Sequence, residues 1–287
     1  MNDFQKYLTP GERDREWGIF LNVAGMNRVG PHSSYPSPEH PSGYFFSWKQ
    51  GRVLEEYQIN YITEGKGILE TKGARYPVRP GSILITRPGL WHRYKPLRHT
   101  GWKEQYIGFN GNIAAQFFAH SFFLPSQPVI HTGIREEILD TYLKIFNLVR
   151  EEKPGFQQIA SGLIIKLMGY LFSFETQKEF TGKHVAAIIE TVRFRMREQL
   201  DQALDLEKLA RDYHIGYSYF RKMFKSYTGV APHRYHLEMK IMRARELLLT
   251  TDKSIKEISF ELGFQSIHYF SRIFKQKTGL PPSRFRK

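Results

Sequence analysis

The chain has 287 residues, enough for two folded units of ordinary size, and its 41% hydrophobic and 15% aromatic content is that of a globular protein. It contains no cysteine, which excludes disulfides, thiolate nucleophiles and cysteine-ligated zinc or iron–sulfur centres and fits a reducing cytoplasm. The first residues lack the basic-then-apolar order of a signal peptide, and no stretch approaches 18 uninterrupted apolar residues, so a soluble, cytoplasmic protein with no membrane partner is expected.

The formal net charge is +14 and the pI about 9.7, which points to a polyanionic partner. From Lys183 to the end there are 21 Lys and Arg against 11 Asp and Glu, so most of the excess lies in the last third. A basic domain joined to a nearly balanced one is the pattern expected when a single domain touches nucleic acid.

In chain order, residues 29–43 carry Pro31, Pro36, Pro38 and Pro41 among Ser, His and Gly and predict an irregular arm or lid. Residues 52–110 read as short strands, beginning with Val53 and Leu54 and the alternating Tyr57, Ile59 and Tyr61. Turn signals at Gly65, Gly67, Gly73, Pro80-Gly81 and Pro88-Gly89 space the strands tightly, which implies an antiparallel barrel or sandwich. The period then changes. Ile134, Ile138, Tyr142, Ile145 and Val149 share one helical face, and Ile159, Leu163, Leu167, Leu171 and Phe174 share another, with Pro154-Gly155 between them. This predicts a helical hairpin over 133–175. Polar residues 176–183 read as a linker, and everything beyond as helix with stops at Gly229, Gly263 and Gly279.

Within the helical part the chain repeats itself. Tyr219-Phe220-Arg221-Lys222-Met223-Phe224-Lys225 matches Tyr269-Phe270-Ser271-Arg272-Ile273-Phe274-Lys275 at an offset of fifty, continuing through Thr228-Gly229 onto Thr278-Gly279 and Pro232 onto Pro282. Leu206, Leu209 and Ala210 align with Ile255, Ile258 and Ser259 at an offset of forty-nine, which places one extra turn residue in the second copy. Each copy predicts a short amphipathic helix, a turn and a longer helix. Ser254 with Glu257 forms a capping box, and Ser266 is positioned to cap the second long helix.

The long helices turn Phe270, Ile273 and Phe274 inward and leave His268, Ser271, Arg272 and Lys275 outside; the first copy presents Ser218, Arg221, Lys222 and Lys225 on the equivalent face. Short polar and basic side chains suit a major groove, where Arg pairs with guanine and Lys with phosphates. One basic helix face is ordinarily just solvated; two in matched frames argue for paired readers of DNA. A helix over Pro232 to Leu249, with Leu237, Ile241, Ala244 and Leu248 on one face, is expected to act as the spacer between them.

The run Ile258-Ser259, Gly263-Phe264, Tyr269-Phe270-Ser271-Arg272, Phe274-Lys275, Gly279 and Pro282 resembles the signature of the AraC family of transcription regulators, over residues 184–287. That resemblance implies base-reading positions at Ser218, Arg221 and Lys222 and at His268, Ser271 and Arg272. Two departures are Ser259, where Ala is commoner, and Gly216, where a capping Ser or Thr is usual. The N-terminal part looks like the cupin-type sensor domain that accompanies such DNA-binding domains, with Tyr61 to Gly67, Pro80 to Ile83 and Pro88 to His92 at the usual turns. The resemblance thus implies an α+β multidomain chain: a cupin-like, jelly-roll-like antiparallel barrel over 1–132, a dimerising hairpin over 133–175, a linker over 176–183 and an all-α double helix-turn-helix domain over 184–287. It implies double-stranded DNA, a small effector such as a sugar, a second copy of the chain and RNA polymerase as partners.

Aromatic faces suit sugar rings, so Trp91, Tyr94 and Trp102 are candidate effector-binding residues, with Arg28, Glu56, Arg87 and His92 as polar ones. The strand region offers only His92 and His99 as histidines and the chain has no His-x-His pair, so no metal, no cofactor and no catalytic residues are expected. A metal-dependent cupin enzyme and a non-specific DNA binder are the alternatives.

Overall fold

The computed structural model describes residues 3–36, 44–119, 128–202 and 204–286. Two compact units divide between Glu175 and Thr176. The first contains strands β1 (Phe4–Tyr7), β2 (Phe20–Val29), β3 (Tyr57–Gly65), β4 (Gly67–Thr71), β5 (Ala74–Val78), β6 (Ser82–Thr86), β7 (His92–Pro96), β8 (Trp102–Asn110) and β9 (Val129–His131). They form a six-stranded antiparallel sheet in the order β1-β2-β8-β3-β6-β9 and a three-stranded one in the order β5-β4-β7. The sheet therefore recruits the apolar segments before residue 52 and after residue 110, while β3 begins at Tyr57 and not at Val53, whose side chain is exposed. Among the described residues the expected arm keeps 30–36, because β2 runs to Val29; Pro38 and Pro41 lie outside the described residues.

Strand phase decides what each face of the large sheet does. On β3, Ile59 and Tyr61 pack with Ile107 and Phe109 of β8 against the helices, while Ile62, with Trp102 of β8, belongs to the apolar cluster between the two sheets. Gln58 and Asn60 share the phase of Ile62, as Glu104 and Tyr106 share that of Trp102, so polar residues enter the interior of the sandwich. The turn after β3 is tight: Gly65 has φ +78°, and a Cβ there would sit 2.1 Å from the Gly101 carbonyl oxygen.

The short α1 (Glu12–Glu16) buries no residue, and the outer face is covered by α2 (Asn112–Ala119), α3 (Glu136–Glu151) and α4 (Phe156–Phe180). Hydrogen bonds join hairpin to sheet: Tyr142 donates to the Ile59 carbonyl at 2.7 Å, and Gln157 exchanges two bonds with the Leu21 backbone. Ile138, Tyr142, Ile145 and Val149 are buried as expected; Ile134, which precedes the helix, is exposed. On α4 the buried stripe runs through Ala160, Ile164, Leu167, Met168 and Leu171, so Ile159 is exposed and Leu163 only partly covered. Packing on a sheet uses a face rotated from the one the apolar spacing suggests. By length and composition α4 could cross a membrane, the one such helix among the described residues; its apolar stripe is spent on the sheet. It also continues through 176–180, so most of the expected linker is helical: Gln177, Lys178 and Glu179 are good helix formers, and the break comes at Gly182, φ +72°.

The second unit is all helix: α5 (His184–Glu198), α6 (Leu206–Asp212), α7 (Tyr217–Thr228), α8 (Pro232–Thr250), α9 (Ile255–Glu261), α10 (Ile267–Thr278) and α11 (Pro282–Phe285). It has two cores. Phe220, Met223 and Phe224 of α7 pack with α5 and α6, and Phe270 and Phe274 of α10 pack with α8 and α9. Helix α8 serves both, with Tyr235 and Met239 against the first core and Ile241, Ala244, Leu247 and Leu248 in the second.

Candidate DNA-reading surface and effector cleft

The repeat extends to individual hydrogen bonds. Helices α6 and α9 have seven residues each, and α7 and α10 twelve. Thr228 donates to the Phe224 carbonyl at 2.8 Å, and Thr278 to that of Phe274 at 2.8 Å; Gly229 and Gly279 end the long helices at φ +80° and +84°. The capping box at Ser254 is formed, and Ser266 accepts from the Tyr269 amide at 3.2 Å, whereas Gly216 caps α7 with no side-chain bond. Between the short and long helices, His214 at φ +54° stands where Gly263 has φ +62°. Glycine is required only in the second copy, because there a Cβ would meet the Asp201 carbonyl oxygen at 2.0 Å.

These cores orient the outward faces. Ser218, Arg221, Lys222 and Lys225 on α7 are all exposed, and on α10 His268, Arg272 and Lys275 are exposed with Ser271 partly so. Glu238 of α8 pairs with Arg234 and with Lys277 of α10, at 2.8 and 3.1 Å, and so occupies cations other than the candidate readers. Arg272 lies over the Tyr269 ring at 5.6 Å, which leaves its donor edge free of a carboxylate partner among the described residues.

In the first unit a narrow cleft is lined by Tyr7, Tyr35, Pro36, Tyr44, Phe46, Arg52, Gln58, Tyr94, Glu104 and Tyr106. Arg52 is its centre. Its guanidinium lies 5.0 Å from the Phe46 ring and 5.2 Å from the Tyr94 ring, and it donates to the Tyr44 carbonyl at 2.7 Å, the Tyr94 hydroxyl at 2.6 Å, Gln58 at 3.2 Å and His92 Nε2 at 3.2 Å. His92 Nδ1 faces the Leu90 carbonyl at 3.0 Å, so that nitrogen carries the proton and Nε2 accepts from the arginine. Burial, followed by the Arg52 charge, holds His92 down to about 4, hence neutral at physiological pH.

Two carboxyl groups stand beside the arginine. Glu56 accepts from Asn22, Gln58 and Tyr44 at 2.8, 2.8 and 3.1 Å, and burial still raises it above the usual carboxylate range. Glu104 is more deeply desolvated and is pushed up to about 7 by burial, with the Arg52 charge and then the Tyr35 hydroxyl opposing the rise. Its Oε1 accepts from Tyr35 at 3.3 Å. Asn60 and Trp102 stand beside it as further donors that oppose the rise, and the Tyr106 hydroxyl has no partner among the described residues.

The structure sorts the candidate effector residues. Tyr94 lines the cleft; His92 and Glu56 stand behind it, tethered to its lining, and Trp102 packs beneath it at 5.5 Å from Tyr35. Three lie elsewhere. Arg28 is exposed and paired with Glu64, Arg87 donates to the Phe118 carbonyl at 3.2 Å, and Trp91 Nε1 donates to the Gln50 carbonyl at 2.7 Å. Arg52, Gln58, Glu104 and Tyr106 were missed; their signal was the polar phase of β3 and β8, readable once the partner face is known. No group of three or more His, Asp and Glu among the described residues is arranged to hold a metal ion.

Comparison with known proteins agrees with both halves. Residues 33–168 match the AraC-like ligand binding domain, and 209–287 match a helix-turn-helix domain. The chain is 27% identical over 239 residues to the MmsAB operon regulatory protein of Pseudomonas aeruginosa, covering 81% of this chain and 76% of that one. It is 25% identical to the Msm operon regulatory protein of Streptococcus mutans, covering 88% and 91%, and 25% identical to the arabinose operon regulatory protein of Escherichia coli, covering 87% of each. A ligand-binding sandwich followed by two capped helix-turn-helix copies, matched over both parts, places the chain in the AraC family of DNA-binding transcription regulators.

Proposed function

We propose that the protein reads a two-part DNA site with α7 and α10 and that a sugar bound in the barrel cleft controls it. The observation that carries the first half is the duplicated face: Arg221, Lys222 and Lys225 on one copy and Arg272 and Lys275 on the other are exposed in the same frame, on helices anchored by separate cores. Ser218, His268 and Ser271 complete the two readers, with the hydroxyls and imidazole approaching base edges and the lysines the phosphates. For the second half, the cleft's aromatic rings and buried polar groups suit a hydroxylated ring, and several relatives are named as regulators of sugar operons.

The protein acts as a cytoplasmic homodimer that engages RNA polymerase at its target promoters and carries out no catalysis of its own. Ile165 and Phe172, seven residues apart on one side of α4, are exposed and support pairing of two copies through the hairpin over 133–175. Bound effector shifts the population between arrangements of the dimer.

Selection of bound duplexes from random DNA at about 150 mM salt, where non-specific affinity is weakened, tests the reading. Enrichment of two motifs one helical turn apart is expected. Affinity that varies with salt but not with sequence would replace it with an architectural role.

A further inference from the structure

We infer that Lys240 is a positioning residue that sets the spacing at which the two halves of the DNA site are read, by pinning a loop of the first helix-turn-helix copy onto the second copy. This rests on the reading of α7 and α10 as paired readers and adds what holds them at one separation.

Helix α8 joins the two copies, but it is a single tether between separate cores. A second connection runs through residues 199–202, which lead from α5 into α6 and so belong to the first copy by sequence. Leu200 packs against the core of the second copy. The Asp201 carbonyl oxygen crowds Gly263, where a Cβ would come within 2.0 Å of it and within 3.3 Å of Lys240 Nζ. Lys240 Nζ donates to the Gln202 carbonyl at 3.2 Å and lies 5.7 Å from the centre of the Phe264 ring. One turn earlier on α8, the buried His236 faces the Gln199 backbone and is held down to about 4 by burial and then by the Lys240 charge, so it stays neutral. A loop of the first copy, the turn of the second and the spacer helix therefore meet around one ammonium group.

The chemistry of that group favours positioning over stabilisation. Lys240 is 7% exposed, and its one hydrogen bond among the described residues goes to a neutral carbonyl. Burial lowers its pKa, with the Asp201 charge opposing. A buried cation so placed is a weak source of stability, and a methionine would occupy its stem at less cost. What the ammonium supplies is direction: the bond fixes one loop carbonyl to one point on α8, against one ring face of the second copy. The docked loop also accounts for the difference between the two turns, since Gly263 has no room for a side chain and His214 carries one at φ +54°.

Spacing is where such a pin should be felt. Adding one base pair between the half-sites moves one of them by about 3.4 Å and rotates it by roughly a tenth of a turn. Readers pinned at two points cannot follow that displacement, whereas readers joined by α8 alone can bend toward it.

Binding of the full chain to its selected two-part duplex at about 150 mM salt tests this, with the spacer kept, shortened or lengthened by one base pair, and with single mismatches in each half. The native chain should lose on the order of tenfold or more in affinity for either altered spacer. Lys240→Met should reduce that loss to about threefold or less while the mismatch penalties within each half stay as they are. Leu200→Ala, which removes the apolar anchor of the same loop, should act in the same direction, and it decides the matter by the same comparison if Lys240→Met does not fold. Folded variants that keep the native spacer penalty overturn the inference and leave the two-part reading standing. A fall in the mismatch penalties of one half, alongside the spacer penalty, would show that Lys240 supports the fold of one reader, and also overturns it. A native chain indifferent to the spacer overturns the two-part reading and this inference together.

Discussion

Arg52 in the barrel and Arg272 on the second recognition helix carry the same guanidinium in opposite settings. Arg52 is held by four hydrogen bonds between two rings, behind a layer of buried carboxyl and amide groups; Arg272 projects from a helix whose inward face is entirely apolar. In the helical unit, packing and the proposed reading of DNA fall to different residues: phenylalanines build the cores and the polar face points outward. In the barrel the same polar residues line the cleft and hold its walls. Substitutions should therefore separate stability from binding in one unit and entangle them in the other.

The largest effect is expected where the helical unit breaks that pattern. Gly263→Ala forces a Cβ against the Asp201 carbonyl at positive φ and should cost about 4 kcal/mol in chemical denaturation, whereas His214→Ala at the equivalent turn should cost less than about 1 kcal/mol. Equal losses would show that the two copies are interchangeable after all. Next, Arg52→Ala leaves His92, Gln58 and the Tyr94 hydroxyl without their donor and two carboxyl groups without their neighbouring cation, and should lower barrel stability by roughly 3 kcal/mol, read from the sensor unit's own unfolding transition.

Glu104→Gln should do the reverse in the ligand-free protein. A carboxyl raised to about 7 in the folded state, against 4.5 as its ordinary value, holds a proton that the unfolded chain has lost, so its contribution falls as pH rises from 4.5 through 7. Removing the ionisable group should stabilise the barrel by on the order of 2 kcal/mol at pH 8 and by little at pH 4, measured as the shift in Tm. Arg272→Ala should leave Tm unchanged but remove about 1–3 kcal/mol of discrimination at one base pair in a mismatch series. The smallest effect sharpens the comparison within the repeat: Ser266→Ala should cost about 1 kcal/mol, while Gly216→Ser should gain a few tenths at the matching cap.

The helical unit was legible in the sequence almost to the residue because its signals are local. Caps at Ser254 and Ser266, stops at Gly229 and Gly279, and the i, i+3, i+4 spacing of Phe270, Ile273 and Phe274 each lie within one turn or two of helix, and a helix sorts its own residues into inside and outside. Duplication then repeated every signal once. In the barrel the same local reading located the turns and the alternation of β3, yet its candidates Arg28, Arg87 and Trp91 lie away from the cleft, and Arg52 and Glu104, which line it, were not among them. Those two are fifty-two residues apart and meet only because β8 lies beside β3 in the sheet, which brings Glu104 level with Ile62, and because the small sheet roofs that face. Amino-acid order by itself determined the helices of the second unit, the turns of the strand region, where the repeat falls and which faces of α7 and α10 meet solvent. The convergence of groups on one cleft, the state of His92 and Glu104, and the face of α4 spent on the sheet were decided by tertiary structure, since strand pairing and desolvation depend on neighbours that sequence spacing does not encode.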